Sequence, residues 1–219
     1  MTDQLLLKFP LNKNFFKEDF YVSPSNREAY DFIISWPKWI RRIVNIYGPS
    51  GSGKTHMTAI LKTKTSFLEV ESISLNDKIF LLFKTKELLI IENFNAKISE
   101  NLLLSLWNMA IQDNKYVLII SKKPIDQYKF KLKDLNSRVK SCISIGINLP
   151  GDDIMSVVLA KNFSDKQIKV EKKHIDYIIK RIDRSYEKIE QFISILDKYS
   201  LKKGSPFSLK LIKDVLKMI

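Results

Sequence analysis

The sequence predicts an α/β fold, in which a parallel sheet flanked by helices is followed by a small all-helical domain. Apolar runs of strand length alternate with helical patterns as far as Pro150, which is typical of strands buried on both faces. A glycine-rich loop joins the first of these strands to a helix. Beyond Pro150 only helical periodicity remains, so the second domain is predicted to contain helices alone.

Five apolar segments are predicted to be strands, because they are short, rich in aliphatic residues and bounded by polar or turn residues. Their ranges are 43–47, 66–70, 87–91, 116–120 and 141–147. Helical spacing of apolar residues predicts five further helices. These cover 101–112, 152–162, 171–182, 185–198 and 206–218.

The composition indicates a folded protein. The chain has 219 residues, of which 45% are hydrophobic and 11% aromatic, and this is enough to bury a core and to exclude a disordered or collagen-like protein. Its single cysteine, Cys142, excludes an internal disulfide and favours a reducing compartment. No apolar run approaches the roughly 20 residues that span a bilayer, and no signal-peptide pattern is seen. We therefore expect a cytoplasmic protein.

The formal charge of +13, from 37 basic and 24 acidic residues, leaves two interpretations open. When the chain is divided at Pro150, both parts carry an excess, +8 before it and +5 after it, and only six of the basic residues are arginines. A general lysine bias that serves solubility accounts for such a spread. A surface that contacts nucleic-acid phosphates accounts for it as well.

The segment GPSGSGKT, residues 48–55, matches the phosphate-binding pattern G-x-x-x-x-G-K-[ST] between a predicted strand and a predicted helix. Glycines let consecutive backbone N–H groups face a phosphate chain at a helix N-terminus. Lys54 is expected to reach the β- and γ-phosphates, and Thr55 to bind Mg²⁺. The cofactor is predicted to be ADP or ATP. The predicted nucleotide-binding residues here are Gly48, Pro49, Ser50, Gly51, Ser52, Gly53, Lys54, Thr55 and His56.

A carboxylate at a strand end is the usual second metal ligand of such a site. The segment LLIIENFN, residues 88–95, supplies Glu92 at this place, followed by Asn93. Glu92 carries one methylene more than the usual Asp, and Asn93 cannot act as a base. Altered Mg²⁺ binding and weak hydrolysis are therefore expected. The alternative is that Glu92 is an ordinary surface carboxylate.

Arg138 is the only arginine in the lysine-rich segment KDLNSRVKS, residues 133–141. An arginine at a domain edge can stabilise the transition-state charge on a nucleotide held by a neighbouring protein, as an arginine finger does. The alternative is a solvated arginine in a connection between a helix and a strand.

With these motifs the chain resembles the AAA+ ATPases, and more narrowly the short DnaA-related proteins of the Hda type. The resemblance rests on EDFYVSPSNREAYDFIISWP (18–37), the strand-end ENFN and DLNSRV. It implies a P-loop AAA+ domain over 13–150 and a helical lid over 151–219, with no DNA-reading domain after the lid. It further implies Val22 near the adenine, and it puts Glu187 or Arg184 where many AAA+ proteins carry a nucleotide-sensing arginine.

The N-terminal segment QLLLKFP, residues 4–10, looks like the sliding-clamp-binding peptide of Hda proteins. The resemblance implies a flexible arm over 1–12 that contacts the β subunit of the DNA polymerase clamp. Its anchors are Gln4, Leu5, Leu7 and Phe9. The alternative is that these leucines form an edge strand or pack on the domain.

The resemblance also implies a function. A protein of this type, loaded on a clamp that encircles DNA, promotes hydrolysis of the ATP held by the DnaA initiator and so represses initiation of replication. Arg138 matches the arginine finger and acts in trans. DNA is reached through the clamp, with a weak direct contact and a homo-oligomer left open. The alternatives are an ATP-hydrolysing helicase loader or transposition helper, and a DnaA paralogue that tethers DNA.

Overall fold

The computed structural model describes residues 20–95, 97–166, 168, 170–203 and 208–219. Five parallel strands form one sheet in the order β2-β3-β4-β1-β5. They are β1 (Ile43–Tyr47), β2 (Phe67–Glu71), β3 (Leu88–Phe94), β4 (Tyr116–Ser121) and β5 (Ile143–Gly146). The predicted fold class is confirmed, and each predicted strand is present within three residues of its expected bounds.

The central strands are buried because side chains of alternate residues point to opposite faces of the sheet. In β3, Leu88 and Ile90 belong to one buried cluster, while Leu89 and Ile91 belong to the other. All four side chains are inaccessible to solvent. A continuous apolar run is therefore what a strand covered on both faces requires.

Helices cover the two faces unequally. One face is covered by α1 (Arg27–Ile34) and α2 (Lys54–Lys62), and the other by α3 (Lys78–Phe83), α4 (Glu100–Gln112) and α5 (Lys133–Lys140). The Ser99 hydroxyl caps α4 by accepting a hydrogen bond from the Leu102 amide. Sequence patterns missed α1, α3 and α5, which have eight, six and eight residues.

The chain after β5 is helical, as predicted, with α6 (Asp152–Asp165), α7 (Lys172–Ile179), α8 (Tyr186–Lys203) and α9 (Leu209–Leu216). These helices bury a cluster of their own around Phe163 and Phe192, which shares no residue with the two clusters of the sheet. Ser185 and Ser208 accept hydrogen bonds from the amides of the first turns of α8 and α9. None of the described helices combines the length and apolarity that a membrane span needs.

A buried asparagine connects the central strands at the edge where they end. Asn45 in β1 is fully buried. Its Nδ2 donates to the Ile119 carbonyl at 2.9 Å and to the Ser121 Oγ at 2.8 Å, and its Oδ1 accepts from the Ile125 amide at 2.9 Å. The side chain thus fixes the end of β4 and the following turn relative to β1. The run IVNIY in the sequence predicts a buried strand but contains no signal for this role of Asn45.

Replacing Asn45 by Leu is expected to lower the free energy of unfolding by about 2–4 kcal/mol, because buried polar groups of Ile125 and Ser121 lose their partner. Urea denaturation measures the loss. Asn114→Gly is the control, since Asn114 is exposed and has a positive φ of 57°, a conformation that glycine adopts freely. An Asn45→Leu variant as stable as the control would contradict this account of the network.

Candidate functional site

The glycine-rich loop follows β1 and ends where α2 begins, at Lys54. Gly51 and Gly53 have φ values of 73° and 93°, in the left-handed region that favours glycine. At Gly48, a Cβ would lie 2.4 Å from the Ile147 carbonyl oxygen, so the close approach of the chain after β5 also requires glycine. The motif therefore adopts a tight turn at the N-terminus of a helix, which is the geometry of an anion site.

The helical domain packs directly on this loop. The Tyr186 amide, at the start of α8, donates to the Gly51 carbonyl at 2.9 Å. A Cβ on Gly51 would lie 2.2 Å from the Ser185 Oγ, and a Cβ on Gly53 would lie 3.5 Å from the Tyr186 ring and 3.7 Å from the Phe20 ring. The loop is thus held between the segment at Phe20 and the lid.

A cavity of about 490 Å³ opens beside the loop. The loop, the strand end at Glu92 and two lid helices form its walls. One end is aromatic, since Phe20 stacks on Tyr30 with ring centroids 5.4 Å apart and meets the His56 ring edge-on at 5.1 Å. The lid contributes Val158, Lys161, Asn162, Asp165, Tyr186, Glu187 and Glu190 to the lining.

Lys54 is held inside the loop. Its Nζ donates to the carbonyl oxygens of Gly48 and Pro49, both at 2.7 Å, and to the Ser52 Oγ at 3.3 Å. Burial lowers the pKa of Lys54, and the negative charge of Glu92 acts in the opposite direction. The ammonium group is therefore only partly hydrated and can exchange carbonyl oxygens for the stronger acceptor that a phosphate oxygen provides.

Glu92 is only 8% exposed, and burial raises the pKa of its carboxyl group, against the Thr58 hydrogen bond that lowers it. The Thr58 hydroxyl lies 3.2 Å from the Glu92 Oε1 and 2.9 Å from the Thr55 carbonyl. Such burial disagrees with the alternative of an ordinary surface carboxylate. Mg²⁺ commonly binds through one or two protein oxygens together with phosphates and water, so Thr55 and Glu92 fit a magnesium ion.

The chain has clear relatives. No protein-family model matches it. It is 26% identical over 234 residues to the chromosomal replication initiator protein DnaA of Campylobacter jejuni, an alignment that covers 94% of this chain and 53% of that protein. For DnaA of Borreliella afzelii the identity is 22% over 236 residues, covering 95% and 48%. The chain spans about half the length of these curated relatives.

Solved structures agree with the sequence comparison. Domain III of Thermotoga maritima DnaA has a TM-score of 0.75 at 19% identity, with 95% of this chain and 98% of that chain covered. The chain is thus similar in sequence to DnaA over most of its length, and it has the fold of DnaA domain III. AMPPCP-bound DnaA from Aquifex aeolicus has a TM-score of 0.72 at 18% identity, covering 88% of this chain and 68% of the other.

Two further residues predicted from the sequence, Val22 and Arg184, lie outside the cavity lining. Val22 is half-buried outside the lining, where Phe20 and Tyr21 are found instead. Arg184 also lies outside, and its Nη2 pairs with the Asp152 Oδ1 at 2.9 Å. Glu187 lines the cavity at the corresponding place on the lid.

Arg138 projects from α5 rather than from a connection, and it does not line the cavity of its own chain. It is half-buried, and within the described part of the chain its guanidinium makes no hydrogen bond or ion pair. The predicted clamp-binding residues Gln4, Leu5, Leu7 and Phe9 lie outside the described residues.

Asn93 lines the cavity beside Glu92, but its side chain is bound to Glu71 on the adjacent strand. The residue has a positive φ of 51°. Its Nδ2 donates to both carboxylate oxygens of Glu71, at 3.0 and 3.2 Å. The site thus presents Glu92 as a carboxylate near the end of β3, with the Asn93 amide beside it.

Replacing Glu92 by Gln is expected to raise the melting temperature at pH 7.5. Because the folded-state pKa of Glu92 is raised, its ionised form destabilises the folded chain, and this effect is complete above the folded pKa and absent below the unfolded one. The gain should therefore shrink as the pH falls through the raised pKa. Differential scanning calorimetry across pH measures it.

Glu71→Gln is the matched control, because Glu71 is exposed and pairs in register with Glu92. A gain in Glu92→Gln that is equal at all pH values, or equal to that of the control, would contradict the role assigned to burial.

Proposed function

We propose that this chain is an Hda-type regulator that binds ADP or ATP with Mg²⁺, docks on the sliding clamp and promotes hydrolysis of the ATP held by the DnaA initiator. Initiation of replication is thereby repressed, in the cytoplasm where the initiator works. The observation that carries the proposal is the position of Arg138, a half-buried arginine without a partner among the described residues and outside the cavity of its own chain.

Nucleotide binding is supported by the loop and its surroundings. Its backbone amides and Lys54 suit a phosphate chain, and Phe20 and His56 offer an apolar, aromatic surface for a base. A related DnaA of the same fold was solved with AMPPCP bound. Adenine nucleotide is accordingly the ligand we assign to the cavity.

The nucleotide site of this chain is poorly suited to hydrolysis of ATP. The Asn93 side chain is bound to Glu71, and an amide cannot accept a proton from water. The lid wall carries three acidic residues, Asp165, Glu187 and Glu190, against one basic residue, Lys161, and this excess of negative charge disfavours a γ-phosphate. The site therefore favours ADP as the resident nucleotide and an intrinsic turnover far below 1 s⁻¹, the low end for typical enzymes.

A trans role for Arg138 follows from electrostatics. An unpaired guanidinium that reaches the nucleotide of a second protein stabilises charge on the transferring phosphoryl group, which is worth about 10³–10⁵ in rate. The second protein is DnaA, because the chain shares the fold of DnaA domain III and AAA+ domains of one family pack in similar ways. In this proposal Arg138 of this chain completes the catalytic site that holds the ATP of DnaA.

Arg138→Ala is expected to abolish stimulation of DnaA-bound ATP hydrolysis, measured with clamp and DNA present, while ADP binding by the variant is unchanged. Lys133→Ala is the matched control, because Lys133 is exposed on the same helix and loses the same charge. Equal stimulation by both variants would contradict the proposal.

The same assay separates the alternative function. A helicase loader or transposition helper hydrolyses ATP by itself, faster with DNA and without the clamp. Brisk hydrolysis by the isolated chain with DNA, and no effect on DnaA-bound ATP, would therefore favour that class over an Hda-type regulator.

The double substitution Leu5→Ala with Leu7→Ala is expected to abolish binding to the clamp, because a short docking peptide depends on few apolar anchors. Surface plasmon resonance on immobilised clamp measures the loss. Lys8→Ala, within the same segment, is the control, and melting temperatures show that the domain stays folded. Undiminished binding of the double variant would exclude the arm as the clamp-binding element.

A further inference from the structure

The fold collects basic residues at one edge of its sheet. All five strands begin at the same edge, here called the amino edge, and α1–α5 end there because each helix runs antiparallel to the strands. The amino edge consists of five connections, each taken with the last residue of the helix before it: 34–42, 62–66, 83–87, 112–115 and 140–142. Their 26 residues include two acidic residues, Glu87 and Asp113. They include nine basic residues, Lys38, Arg41, Arg42, Lys62, Lys64, Lys84, Lys86, Lys115 and Lys140.

The opposite edge, where the strands end and the cavity lies, is less basic. Its connections, each taken with the first residue of the helix after it, are 48–54, 72–78, 95–100, 122–133 and 147–152. Their 38 residues include eight basic and four acidic ones. The division of the chain at Pro150 could not show this difference, because both edges of the sheet come almost entirely from the residues before it. Residues far apart in sequence meet at one edge because the strands are parallel.

Four of the nine cations serve the fold. Lys64 donates to the Ile34 carbonyl at 3.2 Å, and Lys115 donates to the carbonyls of Lys84 and Lys86. Both lysines thus satisfy backbone carbonyl groups at the C-terminus of a helix or just after it. Lys62 pairs with Glu69. The Arg42 guanidinium lies 4.3 Å from the centroid of the Tyr116 ring. These contacts explain four basic residues.

Five cations remain: Lys38, Arg41, Lys84, Lys86 and Lys140. Within the described residues their side chains make no hydrogen bond or ion pair, and four of them are exposed while Lys86 is half-buried. Mutual repulsion of like charges disfavours such a row unless an anion compensates it. The row therefore points to a ligand that carries several negative charges.

The spacing of the row suits duplex DNA. The five cations precede β3, β1 and β5. The outer two of these strands, β3 and β5, are three strand spacings apart in the sheet, a distance of roughly 14 Å. Duplex DNA carries one negative charge for about each 1.7 Å of its axis, so a duplex along this edge presents about eight phosphates. Because this count includes both strands, only the phosphates on one side of the duplex face the edge, and their number is of the same order as that of the five cations.

We propose that the amino edge of the sheet binds the phosphate backbone of duplex DNA directly, on the side of the domain opposite the nucleotide cavity. The contact is independent of the clamp and of DnaA. An anionic membrane is a poorer match, since membrane adsorption needs a broad apolar face among the cations. In the five connections Ile40, at 89%, is the one strongly exposed aliphatic residue that the structure describes.

The test is fluorescence anisotropy with a labelled duplex of 20 base pairs, between 50 and 200 mM salt and without clamp. Five phosphate contacts predict a slope of log K against log salt of about −4.5. In the double variant Arg41→Gln with Lys84→Gln, the slope should become less negative by about 2, and the affinity at 0.1 M salt should fall on the order of tenfold for each lost contact.

Lys97→Gln with Lys129→Gln is the matched control, because both lysines are exposed at the opposite edge and the same charge is lost. This control should bind the duplex as the unaltered chain does, and melting temperatures should show both double variants folded. Equal weakening of the two double variants would overturn the proposal. So would equal affinity of the amino-edge variant and the unaltered chain, or tighter binding of the unaltered chain to phosphatidylserine vesicles than to the duplex.

Discussion

The hydrogen bond from the Tyr186 amide to the Gly51 carbonyl joins the two parts of the molecule at its functional centre. The bond requires a loop without a side chain at Gly51, where a Cβ would collide with the Ser185 hydroxyl. With the lid held there, Tyr186 and Phe20 enclose the loop at Gly53, and a cavity forms between sheet and lid. Neither part has this cavity alone, since its walls come from both.

Burial controls the electrostatics of this centre. It lowers the pKa of Lys54 and raises that of Glu92, because burial disfavours the charged form of each group. A bound phosphate would stabilise the charged Lys54, and a metal ion would stabilise the charged Glu92. The acidic residues of the lid favour a short phosphate chain over a longer one. Arg138, by contrast, lies outside the cavity. The proposed regulator requires a site of its own that hydrolyses ATP weakly and an arginine that can reach the nucleotide of another protein.

The two edges of the sheet have different chemistry. At the opposite edge, where the strands end, the hydrogen bonds of Asn45 fix the ends of β1 and β4 and so support the loop that follows β1. At the amino edge, helix ends collect lysines, of which only a part satisfies backbone carbonyls. The domain can therefore hold a nucleotide on one side and a polyanion on the other without competition between them.

The sequence predicted the strands and the phosphate loop well, because continuous apolar runs and the glycine pattern are local signals. It could not decide between Arg184 and Glu187, since one helical turn separates them and only packing shows which side chain enters the cavity. The role of Asn45 was hidden because its partners lie some 75 residues away. The grouping of lysines was hidden too, because strand order, not chain order, brings them together.

The central claim is that the lid, docked on the loop, forms a site for adenine nucleotide, and calorimetric titration with ADP and Mg²⁺ tests it most directly. The unaltered chain should bind ADP, and Tyr186→Ala should bind at least tenfold more weakly. Tyr177→Ala, on a lid helix away from the cavity, should bind normally. Absence of ADP binding by the unaltered chain, or equal affinity of the Tyr186→Ala variant, would contradict the account.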